Sequence, residues 1–233
     1  TSPKMPQRKK LFLDAGQCRQ LLVLLKEVPN QQMQRTIAAL LYTGMRVGEL
    51  LALHWDAIDF ESGTISIRHT LYRAKGKYKL STPKTRSSER VITMPPELSK
   101  LLEDQKCWQD QRRQDVGERW IERGAVFTGE YGEYMNLGFV NATFKKLLRQ
   151  HELPDLHIHD LRHANASLLI NAGVPVKVIS EHLGHANTLT TENIYAHVFS
   201  ETRAKAASAI SRVLSLNTET ETKNTESGAD AQK

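Results

Sequence analysis

Apolar positions recur at helical spacing over most of the chain. Leu21, Leu22, Leu24, Leu25 and Val28 form one run. Ile37, Ala38, Leu40 and Leu41 form a second, which starts near Gln32 and stops at Gly44. VGELLAL, from Val47 to Leu53, restarts a helix at once, so Arg46 falls at a helix–helix corner where a side chain can enter a cleft. From Asp59 the period changes to two. TISIR (Thr64 to Arg68) and HTLYR (His69 to Arg73) alternate behind a turn at Glu61-Ser62-Gly63, and YKLSTPK, the polar bend TRSSE and RVITM follow. These segments predict a small antiparallel sheet, ended by Pro95-Pro96. Next come a charged amphipathic helix over Glu97 to Arg113, a short strand or turn at AVFTG (Ala125 to Gly129), and a helix capped by Asn136 that runs to Arg149. Helices over His159 to Gly173 and Val174 to Gly184 each stop at glycine, and a short one covers Asn187 to Tyr195. The fold class is α+β, predominantly helical, with one small antiparallel sheet.

The ends of the chain read differently. Residues 1–10 (TSPKMPQRKK) hold two prolines and four cations with nothing to bury, so they predict a linker from a preceding domain. The main globular unit is expected over 11–199. Ser200 to Leu216 predicts an Ala-rich helix with Ala206, Ala209, Ile210 and Val213 on one face, and 217–233 is too polar to fold alone and predicts a disordered tail.

Composition narrows the function classes. No apolar run approaches the roughly 18 residues of a membrane span, and the stretch after the basic N-terminus breaks at Asp14 and Gln17, unlike a signal peptide. Cys18 and Cys107 are far apart and match no metal spacing, which fits a reducing cytoplasm. With 32 Lys+Arg against 26 Asp+Glu, the net charge of +6 suggests a polyanionic partner. Its location says more than its size: Arg68, Lys75, Lys77, Lys79, Arg86 and Arg90 crowd the strand region, a pattern suited to phosphate contact.

Five short motifs then fall in one order. They are T-G-M-R-V-G-E-L at Thr43 to Leu50, a lysine (Lys84) at the tip of the predicted hairpin, H-D-L-R-H from His159, L-G-H ending at His185, and T-T-E-N-I-Y ending at Tyr195. Each is weak alone. In this order and spacing they resemble the motif set of tyrosine recombinases, and phage and conjugative-transposon integrases look most similar. The resemblance covers about Phe12 to Arg212. It implies the recombinase catalytic-domain fold over 11–199, and a DNA-binding domain ahead of the linker.

The chemistry implied asks for these residue types. A phosphodiester under attack gathers negative charge on its nonbridging oxygens, and guanidinium groups meet such oxygens as permanently charged forks. Arg46 and Arg162 are the expected clamp. His159 lies three residues before Arg162, about one helical turn, so both can face one cleft, and a neutral imidazole there can take the phenolic proton of Tyr195. Tyr195 is the expected nucleophile, Lys84 the acid for the leaving 5′ oxygen, and His185 a hydrogen-bond donor to the phosphate. The resemblance adds Glu49 as an acidic group that orients these side chains. It further implies strand exchange through a 3′-phosphotyrosine with no metal or ATP, a homotetramer on double-stranded attachment sites in a bacterial cytoplasm, and accessory DNA-bending or directionality factors.

His157, His159 and His163 could be zinc ligands, since His159 and His163 have i, i+4 spacing, but the glutamate of H-E-x-x-H is missing and Arg162 would set a cation beside the metal. A DNA-binding module of the same fold without strand transfer is opposed by the filling of all six catalytic positions. A type IB topoisomerase shares the tyrosine chemistry, and the Leu-Gly-His motif with the compact Arg-to-Tyr arrangement favours recombination over it.

Overall fold

The computed structural model describes residues 13–81, 89–196, 198 and 211. The expected linker, Lys84 and Arg86, the helix expected over 200–216 (apart from Ser211) and the tail therefore lie outside the described residues, and the hairpin expected to turn at Lys84 turns instead at Lys75-Gly76. Asp14 starts α1 (Ala15–Leu24) with a reciprocal cap: its carboxylate accepts from the Gln17 amide at 2.8 Å, and the Gln17 side chain accepts from the Asp14 amide at 3.0 Å. Asn30 starts α2 (Gln31–Thr43) by accepting from the Met33 amide at 2.9 Å. Gly44 stops α2 in the left-handed conformation, at φ 60°, which a residue with a Cβ adopts only under strain. That stop frees the corner from which α3 (Val47–Leu51) departs, with Arg46 as its N-cap residue.

The strand region divides into two sheets instead of one. β1 (Ile58–Asp59), β2 (Thr64–Ile67) and β5 (Arg90–Thr93) form an antiparallel sheet in the order β1-β2-β5, with Ile65 opposite Ile92. β3 (Thr70–Ala74) and β4 (Lys77–Ser81) pair separately, with Leu71 opposite Leu80, across a two-residue turn in which Lys75 (φ 48°) and Gly76 (φ 77°) are both left-handed. Two positive-φ residues match the twist of flanking strands and fix their register. β3 crosses α3 closely: a Cβ on Gly48 would stand 2.7 Å from the Leu71 carbonyl oxygen, so a larger residue there would push the hairpin away from the Arg46 corner.

The remaining helices are α4 (Pro96–Val116), α5 (Leu137–Gln150), α6 (Asp160–Asn171) and α7 (Val176–Leu183), followed by helical residues 188–196. Two apolar clusters hold them. The larger joins α1–α5 and the strands to the start of α6 through residues such as Ile37, Leu50, Ile65, Phe127, Phe144 and Leu161. The smaller contains Ala166, Ile170, Ile179, Leu183, Tyr195 and Val198. Burial of a large apolar side chain is worth roughly 1.5–3 kcal/mol, so the smaller cluster holds the C-terminal helices with far less than the main core has. None of the described helices is long and apolar enough to cross a membrane.

Candidate active site

Arg162 sits where three elements meet. It is buried on α6, and its guanidinium donates to the carbonyl of Gly44, the C-cap of α2, at 2.8 Å and to that of Leu183, the last residue of α7. Helix C-termini carry partial negative charge on unpaired carbonyls, so a cation is stable there even out of water. Burial, and then the charge of Arg46, lower Arg162 to about 10, which leaves it charged at neutral pH. Arg46 differs from it. Its side chain is 43% exposed, and Nη1 donates to Glu49 Oε1 at 2.7 Å, so this guanidinium faces outward while tethered at one side.

Glu49 ties the site together. Its carboxylate, 6% exposed, accepts from Arg46 Nη1, from the Arg46 amide at 3.0 Å and from Arg90 Nη2 at 2.9 Å. Burial alone would raise its pKa, but the bond and charge of Arg90, joined by Arg46, outweigh it and hold the carboxyl below its ordinary value. Arg90 is thus not on the phosphate-contacting surface expected of it. Its side chain is 6% exposed, and Nε donates to the His182 carbonyl at 2.7 Å, linking β5, α3 and α7. The sequence held the signal: in an alternating strand Arg90 shares a face with Ile92, which is buried, and opposes Val91, which is exposed. By contrast Arg68, Lys75, Lys77 and Lys79 are exposed.

The histidines separate by contact. His159 is the N-cap residue of α6 and is exposed at its outer edge; the buried part of its ring, and then Arg162, lower its pKa. His185, just past the Gly184 stop of α7, bonds Thr191 Oγ1 through Nδ1 at 2.8 Å. Tyr195, 1% exposed, packs in the smaller cluster, and its hydroxyl lies 2.7 Å from Nδ1 of His163. His163, one turn after His159, is the contact that the motif reading missed. The second histidine of H-D-L-R-H, at i+4 from the first, was its visible sign. Burial pushes the Tyr195 phenol up to about 12, against a smaller lowering by Arg162. The charge of Arg162 also acts on His159 and His185, so Arg46, His159, Arg162, His185 and Tyr195 share one neighbourhood. Among the described residues no three His, Cys, Asp or Glu side chains could hold a metal ion.

The same burial makes the site acid-sensitive. His182 and His185 are both lowered to about 4, chiefly by burial and then by neighbouring arginines. Between about 6.5 and that value the unfolded chain binds protons that the folded chain refuses, so stability is full above the upper limit and falls as pH drops through the window; Glu49 extends the loss below the ordinary carboxylate range. Two such groups amount to about 5 kcal/mol at pH 4.5, and solvent at these partly buried rings cuts that to about half, so urea unfolding at constant salt should show a folded state about 2–3 kcal/mol less stable near pH 4.5 than near pH 7.5. Equal midpoints and slopes would contradict this.

A mainly helical body with a basic two-stranded hairpin thus holds a buried tyrosine against His163 and in the charge field of Arg162, which also acts on His159 and His185. The description "Phage integrase family" matches residues 11–202. The chain belongs to the phage integrase family. It is 34% identical over 180 residues to a protein of Caldanaerobacter subterraneus subsp. tengcongensis named "Tyrosine recombinase XerC-like", covering 72% of this chain and 46% of that protein. It is 30% identical over 173 residues to the ICEBs1 integrase of Bacillus subtilis, covering 74% and 46%. Among solved structures it resembles the Tn1549 transposon integrase in complex with transposon right-end DNA, with a TM-score of 0.72 and 27% identity over 87% of this chain and 66% of that one. The chain therefore spans about half the length of these curated relatives.

Proposed function

We propose that this chain is the strand-transferring part of a site-specific integrase that cuts and rejoins double-stranded DNA at attachment sites of a mobile element or phage. The observation that carries this reading is the placement of the Tyr195 hydroxyl in the neighbourhood of Arg162, the cation that joins the ends of α2 and α7. In the reaction Tyr195 attacks a backbone phosphorus, the 5′ oxygen leaves with a proton supplied by Lys84, and the strand stays linked through a 3′-phosphotyrosine. Arg46, open to solvent, meets the phosphate first, and the remaining N–H groups of Arg162, with His185, complete the set of donors to its oxygens. Glu49 positions Arg46 by holding its guanidinium on one side. The reading further includes a homotetramer on DNA, aided by accessory bending or directionality factors, in a bacterial cytoplasm, and a DNA-binding domain ahead of the strand-transfer unit at 11–199.

Capture on nicked duplexes tests it. A pool with a randomised cleavage region, nicked so that the freed end diffuses away, should yield a covalent protein–DNA product whose linked peptide contains Tyr195. Failure to form one would reduce the chain to a DNA-binding module. Relaxation of supercoiled DNA without recombinant products would instead assign it topoisomerase chemistry.

The β3–β4 hairpin supplies the surface for the DNA backbone. Tyr72, exposed, lies directly across from Lys79 and shares its face with Lys77. An aromatic flanked by two ammonium groups suits phosphates and sugars with little sequence preference. Changing Lys77 and Lys79 to alanine should weaken binding to unrelated duplexes alike and reduce the slope of log affinity against log salt by about 1 per lysine. An unchanged slope would remove the hairpin from the interface.

A further inference from the structure

The motif order directs attention to His159 as acceptor of the phenolic proton, but the geometry points to the next histidine. We propose that His163 is a catalytic residue that takes the proton of Tyr195 as the phenol attacks and returns it when the strand is rejoined. This rests on the strand-transfer reading above.

Nδ1 of His163 stands 2.7 Å from the Tyr195 hydroxyl, a distance normal for a hydrogen bond, and the two rings meet at 60° with centroids 5.7 Å apart. His159 meets the ring of His163 edge-on, at 85° and 5.3 Å, and is itself exposed. A phenol that is 1% exposed and pushed up to about 12 is protonated at neutral pH. An imidazole carrying its own proton on Nε2 offers Nδ1 as an acceptor for this O–H. The groups that face His163 include His159 from its own helix, His185 from the turn after α7, and Tyr195 from the helical residues 188–196, with Arg162 acting on all three of these by its charge. Of these, Arg162 favours the phenolate over the phenol, which assists departure of the proton without itself receiving it.

The step balances with groups already named. The Tyr195 O–H bond breaks, its proton passes to Nδ1 and makes an imidazolium, the phenolic oxygen bonds phosphorus, and the 5′ oxygen leaves with a proton from Lys84. On rejoining, a 5′ hydroxyl gives its proton to Lys84 and attacks phosphorus, and the departing Tyr195 oxygen recovers its proton from His163. Two histidines one turn apart thereby divide the work: the inner one handles the nucleophile, and the outer one stands at the open edge where the phosphate arrives.

Asparagine separates the proton from the contact, because its side-chain oxygen can accept the same hydrogen bond but cannot take the proton. Rates of covalent capture on nicked duplexes selected by the wild-type chain should be compared for wild type, His163→Asn, His163→Ala and His159→Asn between about pH 6 and pH 10. His163→Asn should cleave about 100-fold more slowly near neutrality and keep gaining with pH where the wild type has levelled, and added imidazole should restore part of the rate to His163→Ala. Wild-type rates in His163→Asn would overturn the proposal, as would a uniform loss that leaves the shape of the pH profile unchanged. If the wild type captures no duplex, the strand-transfer reading has failed. The contact is then judged without DNA, by the ¹⁵N signals of His163 in the wild type and in Tyr195→Phe. A shift at Nδ1 supports the bond on which the proposal stands, and identical signals overturn it.

Discussion

Tyr195→Phe is expected to abolish covalent capture of DNA while leaving the fold nearly intact. Phenylalanine fills the same space in the smaller cluster with Ile179 and Leu183, so no cavity opens and the apolar contribution is kept. The hydroxyl is what disappears, and with it the only atom of the side chain able to bond phosphorus. Its bond to His163 goes too, which leaves Nδ1 short of that partner at a cost of about 1–2 kcal/mol. Thermal unfolding should therefore shift by a few degrees at most. DNA affinity measured by gel shift should stay within about threefold, because exposed cations set it. Covalent product from the variant would move the nucleophile elsewhere. A collapsed fold would mean that the hydroxyl has a structural part larger than one hydrogen bond.

Glu49→Ala should produce the largest loss of stability among substitutions at the site. Arg90 is as buried as Glu49 itself, at 6% exposure, and removing the carboxylate takes away the anion that its Nη2 meets at 2.9 Å. Breaking a buried pair by deleting one partner typically costs about 3–5 kcal/mol, well above the cost of losing an exposed pair. Arg46 loses its tether at the same time, and a phosphate-binding guanidinium displaced by about 1 Å slows chemistry roughly 100-fold. The two effects can be separated. Glu49→Leu combined with Arg90→Met removes both charges and should recover part of the stability, since apolar replacements of buried pairs are often neutral, yet it should leave capture low. Recovery of both would show that Glu49 serves the fold alone.

Much of this arrangement was visible in the chain because local rules govern it. The stop at Gly44, the corner at Arg46, the cap at Asn136 and the glycine-bounded helices near His159 and His185 follow from capping and backbone preference, which act over four or five residues. Pairing between strands does not. Alternation shows which residues share a face but not which strand lies beside which, so the pattern predicts one sheet where β2 pairs with β5 and β3 turns back on β4. A cation in a basic stretch, such as Arg90, reads as solvated, although its alternation with Val91 sets it beside Ile92. The role of His163 is hidden for a different reason. Its partner is 32 residues away, and no periodic pattern links α6 to the helical residues 188–196.

The division of the apolar interior into two clusters sets a separate energy scale for the nucleophile. A segment packed through six buried residues can open and close as its own unit while the larger core stays folded. The free energy of uncovering Tyr195 is then decoupled from global stability. Amide hydrogens of residues 188–196 should exchange faster than those of α2 by several kcal/mol in protection. Ile179→Ala should raise the population of the uncovered state far more than an equal truncation at Phe144, which belongs to the other core. Uniform exchange across both regions would show one cooperative unit instead. In such a molecule the readiness of the hydroxyl is a local equilibrium, set by the small cluster and open to adjustment without softening the body that grips DNA.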